Sequence, residues 1–175
     1  MLFQLLNFTF WLGTTLFAGG VLATGQTIPQ VTADSLNGKH ISLPVDFGGK
    51  SAILIVGFSR AGGDQCGPFA HRLTKEPSVL EGSVRLYQIA MLESAPRLVR
   101  SMILHGMRSG VPKNEQDRFL PLFHGEKEWK QIAGFTKAAE DEAYLLLVGS
   151  DGTVRWTSHG RYSEDLYLQF KKHLL

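Results

Sequence analysis

Cysteine is nearly absent from this chain, because Cys66 is the only one among 175 residues. A single cysteine excludes a disulfide within the chain and any metal site built from a cluster of cysteines. Any thiol chemistry therefore has to use Cys66 alone, with a second thiol supplied from outside the chain.

The chain also lacks an excess of charge of either sign. Its 18 basic and 16 acidic residues give a net charge of +2, and the two signs are mixed along the sequence. No long basic stripe is available for a phosphate backbone, so we predict no nucleic-acid partner. A hydrophobic fraction of 43% in 175 residues is typical of one folded domain with a short appendage.

Charged residues are missing altogether from the N-terminal segment, where Asp34 is the first. Residues 1–24 are apolar and end in the small-residue sequence Val21-Leu22-Ala23, without a basic region before them. This composition predicts a signal peptide or an uncleaved membrane anchor, and the sequence leaves both open. A mitochondrial presequence would be rich in arginine. We therefore expect a protein of the bacterial cell envelope, exported or anchored in the inner membrane facing the periplasm.

The remaining residues, 26–175, predict one α/β domain. Residues 30–43 favour a hairpin around the turn Asn37-Gly38, and the β-branched run 51–58 is typical of a buried core strand. Further strands are predicted at 84–92, 143–148 and 153–157. A loop at 59–65 is expected to lead into a helix from Cys66 to about Lys75.

Three more helices are predicted after the second strand. Ser94-Ala95-Pro96 indicates the start of a crossover helix that ends at Gly110, and residues 126–135 favour another. Ser163 is expected to cap the C-terminal helix, and residues 113–125 are interpreted as an inserted polar connection. This order predicts a central mixed β-sheet with helices on both faces and an N-terminal β-hairpin extension.

Two groups of residues carry a resemblance to a known family. Val56-Gly-Phe58 followed by Cys66-Gly67-Pro68 resembles the thioredoxin superfamily, in which a strand ending in an aromatic residue leads into a Cys-Gly-Pro-Cys motif at a helix start. The segment 28–43 is similar to the N-terminal hairpin of peroxiredoxin-type and envelope thiol-oxidoreductase members. The resemblance implies a thioredoxin-like fold over residues 26–175.

A narrower likeness lies in the C-terminal half. The segments 107–112, 144–148 and 154–156 are similar to the thioredoxin-like assembly factors of mitochondrial ATP synthase. Because the N-terminus is unlike a mitochondrial one, any relation would be to a bacterial relative. This likeness implies a protein partner, with a membrane complex as the expected one, and attachment to the membrane through the N-terminal segment.

Cys66 is the candidate catalytic residue, acting as a monothiol. A position at a helix N-terminus would lower the pKa of its thiol, and Arg60 would support the thiolate while Asp64 would oppose it. The thioredoxin motif has a second cysteine where Phe69 stands, so an internal dithiol cycle is excluded. Ala143 stands where the fold usually has a cis-proline. A peroxidase is disfavoured, because residues 61–65 lack its proline and threonine.

Binding candidates come from the same motif and from the last strand. Gly67 and Pro68 flank Cys66, while Arg155 and Trp156 could form an exposed recognition pair, unless Trp156 packs under a neighbouring helix. The six histidines lie far apart in sequence, so we predict no metal site. No cofactor is predicted either.

Two functions therefore remain open. The first is an exported or membrane-tethered thioredoxin-fold protein that lacks the dithiol motif and binds other proteins, as an assembly or chaperone-like factor for a membrane complex. The second is a monothiol redox protein, either a thiol-disulfide oxidoreductase or a peroxidase-like enzyme, that uses Cys66 with an external resolving thiol. Under the first, Cys66 is an inert residue of the core.

Overall fold

A computed structural model describes residues 25–174, so the predicted signal or anchor segment lies outside the described residues. Within 25–174, no helix is both long and apolar enough to cross a bilayer. The elements in chain order are β1 Val31–Asp34, β2 His40–Leu43, β3 Ser51–Gly57, α1 Arg60–Leu73, α2 Pro77–Leu80, β4 Val84–Met91, α3 Arg100–Gly110, β5 Phe119–Leu122, α4 Glu126–Ala133, β6 Ala143–Val148, β7 Val154–Gly160 and α5 Glu164–Lys171.

Seven strands form a central sheet and a separate hairpin. The sheet has the order β5-β4-β3-β6-β7, in which β3, β4 and β5 run parallel and β6 and β7 are antiparallel to their neighbours. The hairpin pairs β1 with β2 around the predicted turn. Because the carboxyl ends of parallel strands meet at one edge of a sheet, the loops after β3, β4 and β5 lie at the same edge.

The central strand β3 supplies both faces of the core, which explains its continuous apolar run. Leu54 and Val56 belong to a cluster that contains Trp129 of α4 and residues of the hairpin. Ile53 and Ile55 belong to the opposite cluster, which holds the buried sides of α1 and α5. Helices therefore cover both faces, as predicted from the order of elements.

The prediction missed one strand and misplaced two helix starts. Residues 119–122 form β5, parallel to β4, whereas the sequence indicated only an apolar piece within an insertion. The crossover helix α3 begins at Arg100, after a short 3₁₀ turn, and Ser94 does not cap it. The first helix begins at Arg60 and not at Cys66, so Cys66 lies inside the helix and not at its start.

The C-terminal helix α5 begins as predicted and is tied to the end of α1. The hydroxyl of Ser163 accepts a hydrogen bond from the backbone nitrogen of Leu166 at 3.2 Å. The hydroxyl of Tyr167 donates to the buried carboxylate of Glu76, and Nζ of Lys171 lies 3.1 Å from the same carboxylate. A buried carboxylate that is both hydrogen-bonded and paired thus ties α5 to the segment between α1 and α2.

Candidate functional site at the start of the first helix

The loop predicted at 59–65 is instead the first part of α1. Ser59 has an extended backbone and is the N-cap, and its hydroxyl oxygen accepts a hydrogen bond from the nitrogen of Gly62 at 2.9 Å. The same hydroxyl donates to Oδ1 of Asp141 at 2.7 Å. A serine N-cap satisfies one of the free amides of a first turn, which here outweighs the poor helix propensity of Gly62 and Gly63.

The backbone around this helix start is closely packed. A Cβ atom added to Gly57, at the end of β3, would lie 2.9 Å from the Cα of Gly63. A Cβ atom on Gly62 would lie 2.9 Å from the carbonyl oxygen of Glu142. These glycines let β3, α1 and the segment before β6 approach backbone to backbone. The helix start is therefore a crowded structural junction.

Cys66 lies six residues inside α1, facing the core. The Cα of Cys66 therefore lies about 9 Å along the helix axis from that of Arg60, more than one turn beyond the helix start. The residue is fully buried, and its Sγ donates to the carbonyl oxygen of Gly62 at 3.2 Å. Burial first, and the carboxylate of Asp64 second, raise the pKa of the Cys66 thiol to about 12. The predicted placement at a helix start, with a lowered pKa, is wrong.

The other residues of the motif lie on different sides of the same helix. Phe69 is fully buried and packs edge-to-face on the ring of Tyr162, with 5.0 Å between ring centres. Pro68 is exposed and Gly67 half-exposed, whereas Arg60 is exposed at the first residue of α1. The structure therefore separates Arg60 from the thiol that it was expected to support. The binding roles of Gly67 and Pro68 stay predictions.

A group of aromatic rings, which we call the aromatic cluster, follows the end of β3 and comprises Phe58, Phe135 and Tyr144. Phe58 packs edge-to-face against both other rings, at 5.2 Å in each case. Nζ of Lys130 lies 4.4 Å from the centre of the Phe135 ring, close enough for a cation–π contact. Apart from the aromatic residue after β3, no sequence pattern predicts this cluster, because its members lie far apart in the chain.

A histidine–carboxylate pair borders the aromatic cluster. The ring of His159 lies 5.1 Å from that of Tyr144, and its Nδ1 is 2.6 Å from Oε2 of Glu142. Both side chains are partly exposed, so solvent screens this pair. The pair lies beside Ala143, where the resemblance would place a cis-proline for docking a substrate backbone. The polar side chains of Glu142 and His159 thus occupy the surface next to Ala143.

The predicted exposed pair of Arg155 and Trp156 does not form. Consecutive residues of a strand point to opposite faces, and Trp156 points into the core. It packs against Phe170 and stacks on the ring of His173 at 4.7 Å. Arg155 is exposed and its Nη2 lies 3.3 Å from Oδ2 of Asp151. Trp156 is therefore no surface anchor, and a binding role for Arg155 alone stays a prediction.

Metal ligands are not grouped in the part of the chain that the structure describes. Among residues 25–174, no three histidine, cysteine, aspartate or glutamate side chains come together in a way that could hold a metal ion.

Comparisons with known proteins identify the fold. No protein-family model matches the sequence, and a search of curated proteins finds no match. The thiol:disulfide interchange protein DsbE from Chlorobium tepidum superposes with a TM-score of 0.59 at 14% identity, over 86% of this chain and 94% of that one. The exposed lipoprotein thioredoxin of Streptococcus pneumoniae gives 0.58 at 14% identity, over 83% and 99%. The chain has a thioredoxin-like fold.

A third structure links this fold with an assembly function in another protein. BsSco, a member of the Sco family of cytochrome c oxidase assembly proteins, superposes with a TM-score of 0.53 at 14% identity, over 90% of this chain and 97% of that one. The superfamily resemblance is thereby confirmed at the level of the fold. The narrower likeness to the ATP synthase assembly factors stays a prediction.

Proposed function

We propose that this protein is an exported or membrane-tethered thioredoxin-fold factor that binds other proteins and assists the assembly of a membrane complex, without thiol exchange of its own. The burial of Cys66 carries this proposal. Its side chain has no exposed surface, and the site offers no other thiol.

The chemistry of thiol exchange makes this burial decisive. Only the thiolate attacks a disulfide, and a pKa of about 12 in place of 9.0 lowers the thiolate fraction near neutral pH by about a thousandfold. The attacking sulfur must also reach its partner, whereas here it faces the carbonyl of Gly62 inside the core. Phe69 fills the place of a resolving cysteine. A monothiol redox role would require α1 to open.

Two further observations support a binding role in an envelope. One solved structure with this fold is described as an exposed lipoprotein and another as a member of an assembly-protein family. The apolar composition of residues 1–24 is typical of a segment that directs a protein to or across a membrane.

The central test is genetic complementation in the native host. A strain that lacks the protein is complemented with the unmodified chain, with Cys66→Ser or with Cys66→Ala, and assembled membrane complexes are measured by native electrophoresis. We expect both variants to restore assembly as the unmodified chain does. Loss of assembly with both variants at normal protein levels would instead favour the monothiol redox protein.

Export is tested separately on the native N-terminus. We expect mass spectrometry to find either a mature chain that begins shortly after Ala23 or a full-length chain in the membrane fraction. Recovery of the full-length chain from the cytosol would contradict both export and anchoring.

A further inference from the structure

The crossover helix α3 is covered less by the rest of the domain than the other long helices. None of its eleven residues is buried, whereas α1, α4 and α5 each bury at least two residues. Leu104 and Met107 pack only partly buried against the small cluster of Leu36, Ala90 and Phe119. The helix therefore rests on the domain with one face and leaves the opposite face open.

The open face of α3 begins with two large apolar side chains. Leu98, in the 3₁₀ turn that leads into the helix, is exposed by 94%, and Met102 is exposed by 68%. Because they are four residues apart, they are neighbours on one side of the helix. His105 and Ser109 continue this face at helical spacing and are also exposed. Covering neighbouring apolar side chains is favourable, because it removes apolar surface from water.

The charge around these apolar side chains has one sign. The segment 94–114 has no acidic residue and four basic ones, which are Arg97, Arg100, Arg108 and Lys113. All of these except Arg100 are exposed. Of the acidic residues that border the segment, Glu115 is buried, and Glu93 accepts a hydrogen bond from the backbone nitrogen of Glu126 at 2.7 Å. The surface of α3 is therefore both apolar and positive.

The inner flank of α3 borders a groove of about 430 Å³ between the hairpin and the end of β5, which Arg100 and Arg108 line. Nε of each arginine donates to a backbone carbonyl, at 3.0 Å from Arg100 and 2.7 Å from Arg108. Within residues 25–174, no carboxylate forms an ion pair with either arginine, and Asp34 of the groove lining pairs with His40. Both guanidinium charges therefore add to the positive potential on this side of the molecule.

We propose that α3 docks on the surface of an anionic lipid bilayer. Leu98 and Met102 enter the interfacial layer, while Arg97 and Arg108 lie at the level of the lipid phosphates, to which guanidinium groups donate charge-assisted hydrogen bonds. The contact sets the orientation of the domain on the membrane. The inference rests on the proposed place of the protein at a membrane, and adds to it the surface that faces the lipid.

The strength of such a contact follows from its size. Each basic residue close to an anionic surface strengthens binding about fivefold, and two exposed apolar side chains add a small hydrophobic contribution. A tether in residues 1–24, which the apolar composition of that segment favours, would keep α3 at a high local concentration near the bilayer. Under that condition a contact of modest intrinsic affinity is sufficient to hold α3 on the lipid.

Other occupants of this face fit less well. Pairing α3 with the same helix of a second copy would bring two sets of arginines together, and like charges oppose such an association. A protein partner would need a negative surface with an apolar patch of matching shape. An anionic bilayer offers negative charge and an apolar interior in adjacent layers, which is the environment that a basic helix with exposed apolar residues prefers.

The test places an environment-sensitive dye on the full chain at Met102→Cys, where the introduced thiol reacts before the buried Cys66. The matched control is Leu80→Cys on α2, because Leu80 is exposed by 70% and lies between Glu76 and Glu81. The labelled chains are reconstituted in phosphatidylcholine vesicles with and without phosphatidylglycerol. With phosphatidylglycerol, we expect the dye at 102, and not the dye at 80, to emit at shorter wavelength and to be quenched by nitroxide-labelled lipid.

The electrostatic part is tested in the chain labelled at 102. Arg97→Glu should shift the equilibrium between lipid-bound and free dye by about fivefold or more towards the free state, because an attraction becomes a repulsion. The matched control is Arg161→Glu, which changes the net charge equally at an exposed position outside 94–114. We expect it to change the equilibrium by less than about twofold, because salt screens distant charges.

Several outcomes would overturn the docking of α3 on lipid. These are equal responses of the dyes at 80 and 102, equal responses in the two kinds of vesicle, and equal effects of Arg97→Glu and Arg161→Glu in chains with unchanged unfolding midpoints. A dye at 102 that responds only when an assembled membrane complex is present would show that a protein covers this face.

The complementation strain separates this inference from the proposed function. If the vesicles retain the full chain but the dye at 102 does not respond, the docking of α3 fails alone. If deletion of the gene leaves all membrane complexes intact, the proposed assembly function fails, whatever the dye reports.

Discussion

Two regions along the carboxyl edge of the sheet differ in whether their reactive or charged side chains are buried or accessible. At the end of β3, Gly57 and Gly62 bring three backbone segments together, and the only thiol points into the core. Beside β5, the side chains of Arg100 and Arg108 line a groove of about 430 Å³ between the hairpin and the sheet. The helix start of this chain is a packed junction, whereas the groove is lined by charged side chains.

The chemistry of the two regions differs in the same way. Burial raises the pKa of the Cys66 thiol and keeps it neutral, so its environment removes reactivity. The guanidinium groups of Arg100 and Arg108 have no carboxylate partner among the described residues. Three experiments test this difference between the two regions.

The largest effect is expected from restoring the dithiol motif with Phe69→Cys. Removing most of a fully buried ring should lower the free energy of unfolding by about 3 kcal/mol, measured by urea denaturation. Both thiols would still face the core, so we expect no catalysis of insulin reduction by dithiothreitol. The control is Leu98→Cys, whose thiol at a 94% exposed position should be alkylated rapidly with a stability change below about 0.5 kcal/mol. Efficient insulin reduction by Phe69→Cys would show that the helix start is still a working site.

A smaller loss is expected from Gly57→Ala. Its Cβ would meet the backbone of Gly63 at 2.9 Å, and such overpacking costs about 1–3 kcal/mol. The matched substitution is Gly63→Ala, whose Cβ meets nothing within 4 Å and should stabilise the helix by about 0.5–1 kcal/mol. Urea unfolding of both variants measures the difference. Equal stabilities would show that the junction is not closely packed.

The last effect is absent at neutral pH, because it is a dependence of stability on pH that begins only above pH 9. The folded pKa of Cys66, about 12, lies above the ordinary value of 9.0, so the unfolded chain loses the proton first. This contribution to stability is fully present below pH 9 and is lost as the pH rises towards 12, by about 1.4 kcal/mol per pH unit. The free energy of unfolding is measured as a function of pH for the unmodified chain and for Cys66→Ala, which lacks the thiol and keeps every other titratable group. Identical pH dependences in the two chains would mean that the thiol has the same pKa in the folded and unfolded states, and therefore that it is in contact with solvent.

The sequence predicted most elements because they carry strong local signals. The continuous β-branched run predicted β3, the Asn37-Gly38 turn predicted the hairpin, and Ser163 predicted the start of α5. The strand β5 was missed because it is only four residues long and contains Pro121. Its pairing with β4 is a long-range contact that no local pattern reports.

The site was harder to predict than the fold. Two glycines in succession indicated a loop at 59–65. In the structure Ser59 caps a helix that begins there, because its hydroxyl oxygen accepts a hydrogen bond from the backbone nitrogen of Gly62. That error moved the predicted helix start by six residues and reversed the expected direction of the Cys66 pKa shift. The aromatic cluster and the groove depend on packing between segments distant in sequence.

The isolation of the one native thiol makes the chain a convenient host for spectroscopic probes. A cysteine introduced at Thr32, on the exposed hairpin edge, would be alkylated long before Cys66, so a single dye or spin label can be attached without replacing Cys66.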